Sequence, residues 1–119
     1  MIVKQQFRFE AAHHLPQHMG KCFSPHGHSY RVELAVEARV SPETGMTIDF
    51  ADMEAIVRSN VLESCDHRDL NELIENPTAE NIVVWIWKRL EKALPGLVSI
   101  ELWEVEGCSV LYRGEGASL

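Results

Sequence analysis

Residues 28–40, HSYRVELAVEARV, give the clearest structural signal in the chain because apolar and polar side chains alternate along them. One phase contains His28, Tyr30, Val32, Leu34, Val36, Ala38 and Val40, and the other contains Ser29, Arg31, Glu33, Glu37 and Arg39. Side chains two residues apart on a strand point to the same face. The stretch therefore predicts a long strand with one buried face, in an antiparallel sheet.

Three other segments predict strands around this one. Residues 2–13 alternate in the same way, and their apolar phase ends at His13. SPETG at 41–45 predicts a turn after the long strand. Two short strands, at about 97–106 and 108–113, are predicted to close the chain and to join at Gly107.

Two helices are predicted between the strand pairs. Residues 51–63 and about 77–93 carry apolar residues at helical spacing, and residues 64–76 between them are predicted to be irregular. Pro77 suits the first turn of the second helix, with Asn76 or Thr78 as its cap.

The resulting order, ββααββ, predicts an α+β domain spanning residues 1–119. We expect a four-stranded antiparallel sheet with both helices on one face. The other face and the two sheet edges would then be bare, which favours a homo-oligomer.

Charge and composition exclude several classes of protein. The formal net charge is −7, which argues against a nucleic-acid or anionic-membrane binder, although a small anion could still be held by a few basic residues. No apolar run approaches the roughly 20 residues of a membrane span. Three separated cysteines without a secretory signal indicate reduced thiols and a cytoplasmic location.

Three histidines form a candidate metal site. His26 and His28 are two residues apart, so on an extended segment they point to one side. His13 lies close to His28 if the first two strands pair as a meander. Three imidazoles with an open fourth position are typical of a catalytic zinc site, and a set of Cys22 with two histidines is the alternative. His14 is predicted to face outward and His18 to lie in a loop.

Cys22, Asp66, His67 and Glu104 are further candidates for chemistry. Cys22 lies in the loop GKCFSP and would be a base or nucleophile near a metal and Lys21, or simply a half-buried small residue. Asp66 could orient His67, or both could belong to a surface turn. Glu104 falls on an apolar phase, where a carboxylate needs a partner such as two adjacent N–H donors. Glu106 is the alternative to Glu104.

An ordered set of motifs resembles one family. The set is FEAAH (9–13), CFSPHGHSY (22–30), TGMTIDF (44–50), CDHRDLN (65–71), NPTAEN (76–81) and WE (103–104). It is similar to the 6-pyruvoyltetrahydropterin synthase/6-carboxytetrahydropterin synthase family. The three-residue gap between Cys22 and HGH resembles the bacterial 6-carboxy-5,6,7,8-tetrahydropterin synthases of queuosine biosynthesis. Cys65 and Val105 depart from the family pattern, which usually has leucine and Thr or Ser there.

The resemblance implies a function and a set of roles. It implies conversion of 7,8-dihydroneopterin triphosphate to 6-carboxytetrahydropterin, with loss of acetaldehyde and triphosphate, by a lyase. His13, His26 and His28 would bind Zn²⁺. Cys22 would be the base, Asp66 and His67 its proton-handling partners, and Glu104 the anchor of the pterin.

The resemblance also implies the tunnelling fold (T-fold), an oligomeric barrel that is commonly a hexamer with sites between subunits. Lys21, Arg31 and Arg68 are candidates for holding the triphosphate. The pyruvoyl-forming reaction and a zinc-bearing pterin-binding protein without turnover are the alternative functions. A zinc hydrolase is disfavoured because no carboxylate has zincin-like spacing to the histidines.

Overall fold

The computed structural model describes residues 1–115 and contains one five-stranded sheet. Its strands are β1 (Ile2–His13), β2 (His26–Glu37), β3 (Arg68–Asp69), β4 (Leu97–Val105) and β5 (Cys108–Tyr112). They lie in the order β3-β1-β2-β4-β5. The four long strands are antiparallel, as predicted, and β5 turns back from β4 at Gly107, whose φ of 84° favours glycine.

The prediction of four antiparallel strands is wrong in one respect, because β3 adds a fifth strand parallel to β1. β3 is two residues long and lies within the stretch 64–76 that was predicted to be irregular. Its pairing is fixed by the backbone of Glu10, which accepts a hydrogen bond from the His67 N–H at 2.6 Å. A two-residue strand has no periodicity, so only this tertiary contact defines it.

Residues 50–65 form one continuous helical segment with a wider turn in its middle. It consists of α1 (Phe50–Val57), a π-helical turn (Arg58–Leu62) and α2 (Glu63–Cys65). Asp49 caps its start by accepting a hydrogen bond from the Ala51 N–H at 2.8 Å. Its buried residues recur every fourth position: Met53, Val57, Val61 and Cys65. This spacing keeps one apolar face against the sheet.

The second helix, α3 (Ala79–Leu90), begins later than predicted. Thr78 is its cap, with the hydroxyl accepting from the Asn81 N–H at 3.1 Å. Pro77 therefore lies before the helix and not in its first turn. Its carbonyl is left free to bind a side chain from β1.

Both helices cover the same sheet face, as predicted. The core joins alternate residues of β1, β2 and β4 to the apolar faces of the helices. The opposite face carries Arg8, Glu10, Ser29, Arg31, Glu33 and Glu101 on the polar phases of the strands. Within residues 1–115, no helix combines the length and apolar character needed to cross a bilayer.

Candidate metal centre and active site

The three predicted histidine ligands converge at one end of the sheet. In the β1–β2 ladder His13 is opposite His26, and His28 is opposite Ala11, so all three side chains lie on the helix-covered face. Ring centroids are 4.5 Å apart for His13 and His26, 5.0 Å for His13 and His28, and 4.8 Å for His26 and His28. One ring nitrogen from each residue lies within 4.8 Å of the other two.

Backbone carbonyls fix the tautomers of two of these rings. The Nδ1 of His13 is 2.8 Å from the Pro77 oxygen, and the Nδ1 of His26 is 2.8 Å from the Ser24 oxygen. A carbonyl oxygen can only accept, so each Nδ1 carries the proton and each Nε2 carries a lone pair. These two Nε2 atoms are 3.0 Å apart, an arrangement of two acceptors that a shared cation stabilises.

His28 completes the set as a neutral imidazole. Its Nε2 is buried and makes no hydrogen bond, although Glu104 Oε1 lies 3.3 Å away, close enough for an ion pair but without hydrogen-bond geometry. Burial lowers the pKa of His28, Glu104 raises it in part, and His13 and His26 lower it further. The neutral ring is the form that binds a metal.

The donor set fits a metal ion such as Zn²⁺. Bonds of about 2.0–2.1 Å in tetrahedral geometry place nitrogen ligands about 3.3 Å apart, near the observed spacing of the first two. Among residues 1–115, the possible metal ligands that lie close together are His13, His26 and His28, and Cys22 is not among them. The structure therefore brings together the three histidines and not the alternative set of Cys22 with two histidines. His14 and His18 lie elsewhere, against Asn71 and Gly20.

Cys22 lies beside the histidines on a short 3₁₀ turn, Lys21–Phe23. The Cys22 carbonyl accepts a hydrogen bond from the Leu15 N–H at 2.8 Å, which closes the loop between β1 and β2. Cys22 is half-buried and lines a cavity of about 350 Å³ together with Lys21, His26 and His28. A thiol and two metal-ligand candidates therefore face one space.

Asp66 and His67 lie just before β3, on the side of β1 that faces away from β2. Asp66 Oδ1 accepts from the Glu10 N–H at 2.9 Å, and its Oδ2 is 3.2 Å from His67 Nδ1. The Glu10 N–H is the main cause that lowers the pKa of Asp66. His67 has a left-handed φ of 59°, which is costly for a residue other than glycine and is typical of functional positions. The predicted dyad is therefore formed, with the imidazole largely exposed.

His67 and Cys22 line different cavities of one chain. His67 and Arg68 line a cavity of about 560 Å³ that extends over β1 to β2, whereas Cys22 and Lys21 line the smaller one. His28 lines both cavities. Cys65 is buried in the core, away from both. The structure thus brings Cys22 together with the histidines but not with Asp66 and His67.

Glu104 and Glu106 are separated by the strand geometry. Glu104 follows Ile100 and Leu102 on the inward phase of β4, is 28% exposed, and lies against His28. Glu106 is exposed in the turn after β4 and lines a cavity with Arg8 and Arg31 on the opposite sheet face. Of the two, Glu104 is the one at the histidine cluster.

Sequence reasoning missed two residues that support the cluster. The Tyr30 hydroxyl is buried 3.2 Å from His13 Nδ1, and burial together with Glu104 raises the pKa of Tyr30. The Asn71 side chain forms hydrogen bonds with the backbone N–H and C=O of His14, the residue after the candidate ligand His13. Tyr30 could have been found from its place in the same strand phase as His28. Asn71 is the last residue of the motif CDHRDLN, but no periodic pattern indicates its contact with His14.

Comparison with known proteins assigns the family. The family model for 6-pyruvoyl tetrahydropterin synthase matches residues 2–115. The chain belongs to this family. The chain is 43% identical over 110 residues to the 6-carboxy-5,6,7,8-tetrahydropterin synthase of Synechocystis sp., a match that covers 87% of this chain and 85% of that protein. It is 33% identical over 105 residues to human 6-pyruvoyl tetrahydrobiopterin synthase, covering 81% of this chain and 72% of that one.

The fold agrees with the same family. The Caenorhabditis elegans 6-pyruvoyl tetrahydropterin synthase superposes with a TM-score of 0.86 at 25% identity, over 96% of this chain and 95% of that one. The family predicted from the motifs is therefore confirmed. The prediction that the chain is an enzyme is confirmed as well.

Proposed function

We propose that this chain is a zinc-dependent lyase that converts 7,8-dihydroneopterin triphosphate and water to 6-carboxy-5,6,7,8-tetrahydropterin, acetaldehyde and triphosphate. The observation that carries the proposal is the cavity shared by the Cys22 thiol and two of the three converging histidines. The 43% identity to a protein named as a 6-carboxy-5,6,7,8-tetrahydropterin synthase supports the choice of product.

His13, His26 and His28 would hold the metal, each through a nitrogen that the surrounding structure leaves free. A bound zinc ion would supply a Lewis acid that lowers the pKa of the side-chain hydroxyls of the substrate and stabilises negative charge on them. The carbonyls of Pro77 and Ser24 keep the His13 and His26 rings in the ligating tautomer.

Cys22 would remove a proton from the substrate side chain, because its side chain lines the same cavity as His26 and His28. Glu104 would accept hydrogen bonds from two adjacent N–H groups of the pterin, in agreement with its inward position and partial exposure. Asp66 would orient the His67 ring, which would carry protons to and from the reacting carbons.

A complete site of this kind needs a second copy of the chain. Cys22 and His67 line different cavities, so a neighbouring copy would have to bring its Asp66 and His67 to the Cys22 cavity. We therefore propose a homo-oligomer, a hexamer by resemblance to the family, with sites between subunits. A cytoplasmic location and a role in queuosine biosynthesis complete the proposal.

The test is incubation of the zinc-loaded protein with 7,8-dihydroneopterin triphosphate, followed by mass analysis of the pterin product and an assay for acetaldehyde. We expect a carboxypterin and acetaldehyde in equal amounts. A pyruvoyl product without acetaldehyde would assign the alternative synthase reaction. Unchanged substrate would assign a pterin-binding protein without turnover.

Cys22→Ala tests the role of the thiol. We expect the variant to keep one metal per chain and to lose turnover, because Cys22 is not among the converging ligand atoms. Cys108→Ala is the matched control, since Cys108 is an exposed thiol at the start of β5. Loss of the metal in Cys22→Ala would instead make the thiol a ligand.

A further inference from the structure

The ring of His13 has two neighbours that favour different tautomers. The Pro77 oxygen is 2.8 Å from its Nδ1, and the fully buried Tyr30 hydroxyl is 3.2 Å from the same nitrogen. A carbonyl oxygen can only accept, so its hydrogen bond requires the proton on Nδ1. A hydroxyl can also donate to an Nδ1 that carries no proton. The position of the Pro77 carbonyl therefore decides between the two tautomers.

The tautomer with the proton on Nε2 suits the metal-free protein and excludes the metal. In this state the Tyr30 hydroxyl would donate to Nδ1, and Nε2 would donate to the His26 Nε2, 3.0 Å away. The repulsion between the two Nε2 lone pairs would disappear, but His13 would have no Nε2 lone pair for a metal. The Pro77 oxygen opposes this state, because it would then face a lone pair at 2.8 Å.

A short turn sets the direction of the Pro77 carbonyl. The Asn76 oxygen accepts a hydrogen bond from the Thr78 N–H at 2.9 Å, which closes a γ-turn centred on Pro77. The Thr78 N–H and the Pro77 C=O belong to one planar trans peptide, so they point in opposite directions. Because Asn76 holds the N–H, the C=O points away from Asn76 and towards the His13 ring.

Asn81 holds this turn from the first turn of α3. Its Nδ2 donates to the Asn76 oxygen at 2.8 Å, and its backbone N–H donates to the Thr78 hydroxyl at 3.1 Å. One residue is therefore bonded to both ends of the turn. We propose that Asn81 is a positioning residue, which keeps His13 in the metal-binding tautomer by fixing the turn on Pro77.

The hydrogen bonds of Asn81 differ from those of an ordinary helix start. Asn81 is the third residue of α3, where a capping box has Glu or Gln that accepts the N–H of the capping residue. Here the N–H of the cap, Thr78, binds Asn76, and the Asn81 side chain donates instead of accepting. A carboxylate at this position would suit the positive end of the helix but would repel the Asn76 oxygen. The amide therefore serves the turn.

Asn81→Asp separates these two roles, and zinc affinity is measured by chelator competition. Direct partners of metal ligands typically contribute 10–100-fold in affinity, and Asn81 acts one step further away. We therefore expect about three- to tenfold weaker zinc binding. The added negative charge would attract a cation, so it cannot cause the loss. Asn81→Ala removes the donor without adding charge and should also bind at least about threefold more weakly.

Asn60→Asp is the matched control. It makes the same chemical change in an amide that donates to a backbone carbonyl, that of Ile56, at the same distance of 2.8 Å. Asn60 lies in the π-helical turn, away from the histidines. We expect this variant to keep its zinc affinity within about twofold of the wild type. A loss equal to that of Asn81→Asp would be a general effect of destabilisation and would overturn the proposal.

The tautomer itself is the second measurement. Nitrogen-15 NMR of the metal-free protein, at a pH where the His13 ring is neutral, shows which ring nitrogen carries the proton. We expect the proton on Nδ1 in the wild type and in Asn60→Asp, and a population shifted towards Nε2 in both Asn81 variants. A residue that only stabilises the helix would leave this population unchanged.

The inference rests on the metal site of the proposed function, but the two can fail separately. Wild-type protein that binds no zinc would refute the proposed function, and the tautomer of the metal-free protein would still test the role of Asn81. If the wild type binds zinc, either of two results overturns the role of Asn81. One is an Asn81 variant that loses less than about threefold in affinity, and the other is an unchanged His13 tautomer.

Discussion

Asn71 holds the chain immediately after His13, one of the three proposed metal ligands, and its removal should weaken metal binding. Its Oδ1 accepts from the His14 N–H at 2.9 Å, and its Nδ2 donates to the His14 oxygen at 3.0 Å. His14 follows the last residue of β1, so the amide replaces the strand partner that its backbone lacks. Asn71 is itself fixed, because its N–H donates to Asp69 Oδ1 at 3.0 Å.

Asn71→Ala removes both bonds to the backbone of His14. A typical intramolecular hydrogen bond contributes about 0.5–1.5 kcal/mol, so two of them set a range of about 1–3 kcal/mol for the loss of stability. The site is partly buried, and water can replace some of the lost bonding. We therefore expect the free energy of unfolding to fall by about 1–2 kcal/mol.

The effect on the metal follows from the position of the His13 ring. Its Nε2 must stay near that of His26, now 3.0 Å away, and the end of β1 is free to shift without the amide. Outer partners of metal ligands typically contribute 10–100-fold in affinity. The Pro77 carbonyl still holds the His13 ring in the variant. We therefore expect an effect at the lower end of this range, about tenfold weaker zinc binding.

Chelator competition measures the zinc affinity, and urea unfolding of the metal-free protein measures the stability. Asn60→Ala is the control, because it removes a partly buried amide that bonds to the Ile56 carbonyl in the π-helical turn, away from the histidines. If Asn71→Ala lost stability but bound zinc within twofold of the wild type, Asn71 would be a structural residue without influence on the metal.

Three other side chains give predictions that single measurements check. Thr78→Ala should lower the free energy of unfolding by about 1 kcal/mol in urea, because it removes the cap of α3. The hydrogen bond from the Glu10 N–H lowers the pKa of Asp66 in the folded protein and so stabilises the fold. This stabilisation is present above the usual aspartate pKa of about 4, and it is lost as the pH falls through the lower pKa of the folded state. Asp66→Asn should therefore reduce the pH dependence of stability in acid. Burial raises the pKa of the Cys65 thiol to about 11. The stability that comes from keeping this thiol protonated is fully present below the unfolded-state pKa of 9.0, and it is lost as the pH rises towards about 11. Urea unfolding from pH 7 to 10.5 should show a smaller loss of stability in Cys65→Ala than in the wild type.

The sequence predicted the elements that carry a periodic pattern. The alternation over 28–40 gave β2, although the strand begins earlier, at His26, and ends earlier, at Glu37. The helical spacing over 51–63 gave the first helix, and the turn at 41–45 is closed by a 2.8 Å bond from the Gly45 N–H to the Ser41 oxygen. These features depend on side chains close in sequence, which is why a pattern can show them.

The sequence by itself determined the family, the antiparallel strands, the two helices and the three histidines, because these depend on residue type and short spacing. Only the tertiary structure decided that residues 66–71 lie along β1, where β3, the dyad and the Asn71 contact form. It also placed Cys22 and His67 in separate cavities and Arg8 opposite Arg31. These contacts join residues that are distant in the chain. Each hydrogen bond among them has a backbone N–H or C=O group on at least one side, and nearly every residue type offers these groups, so the sequence pattern does not reveal the pairing.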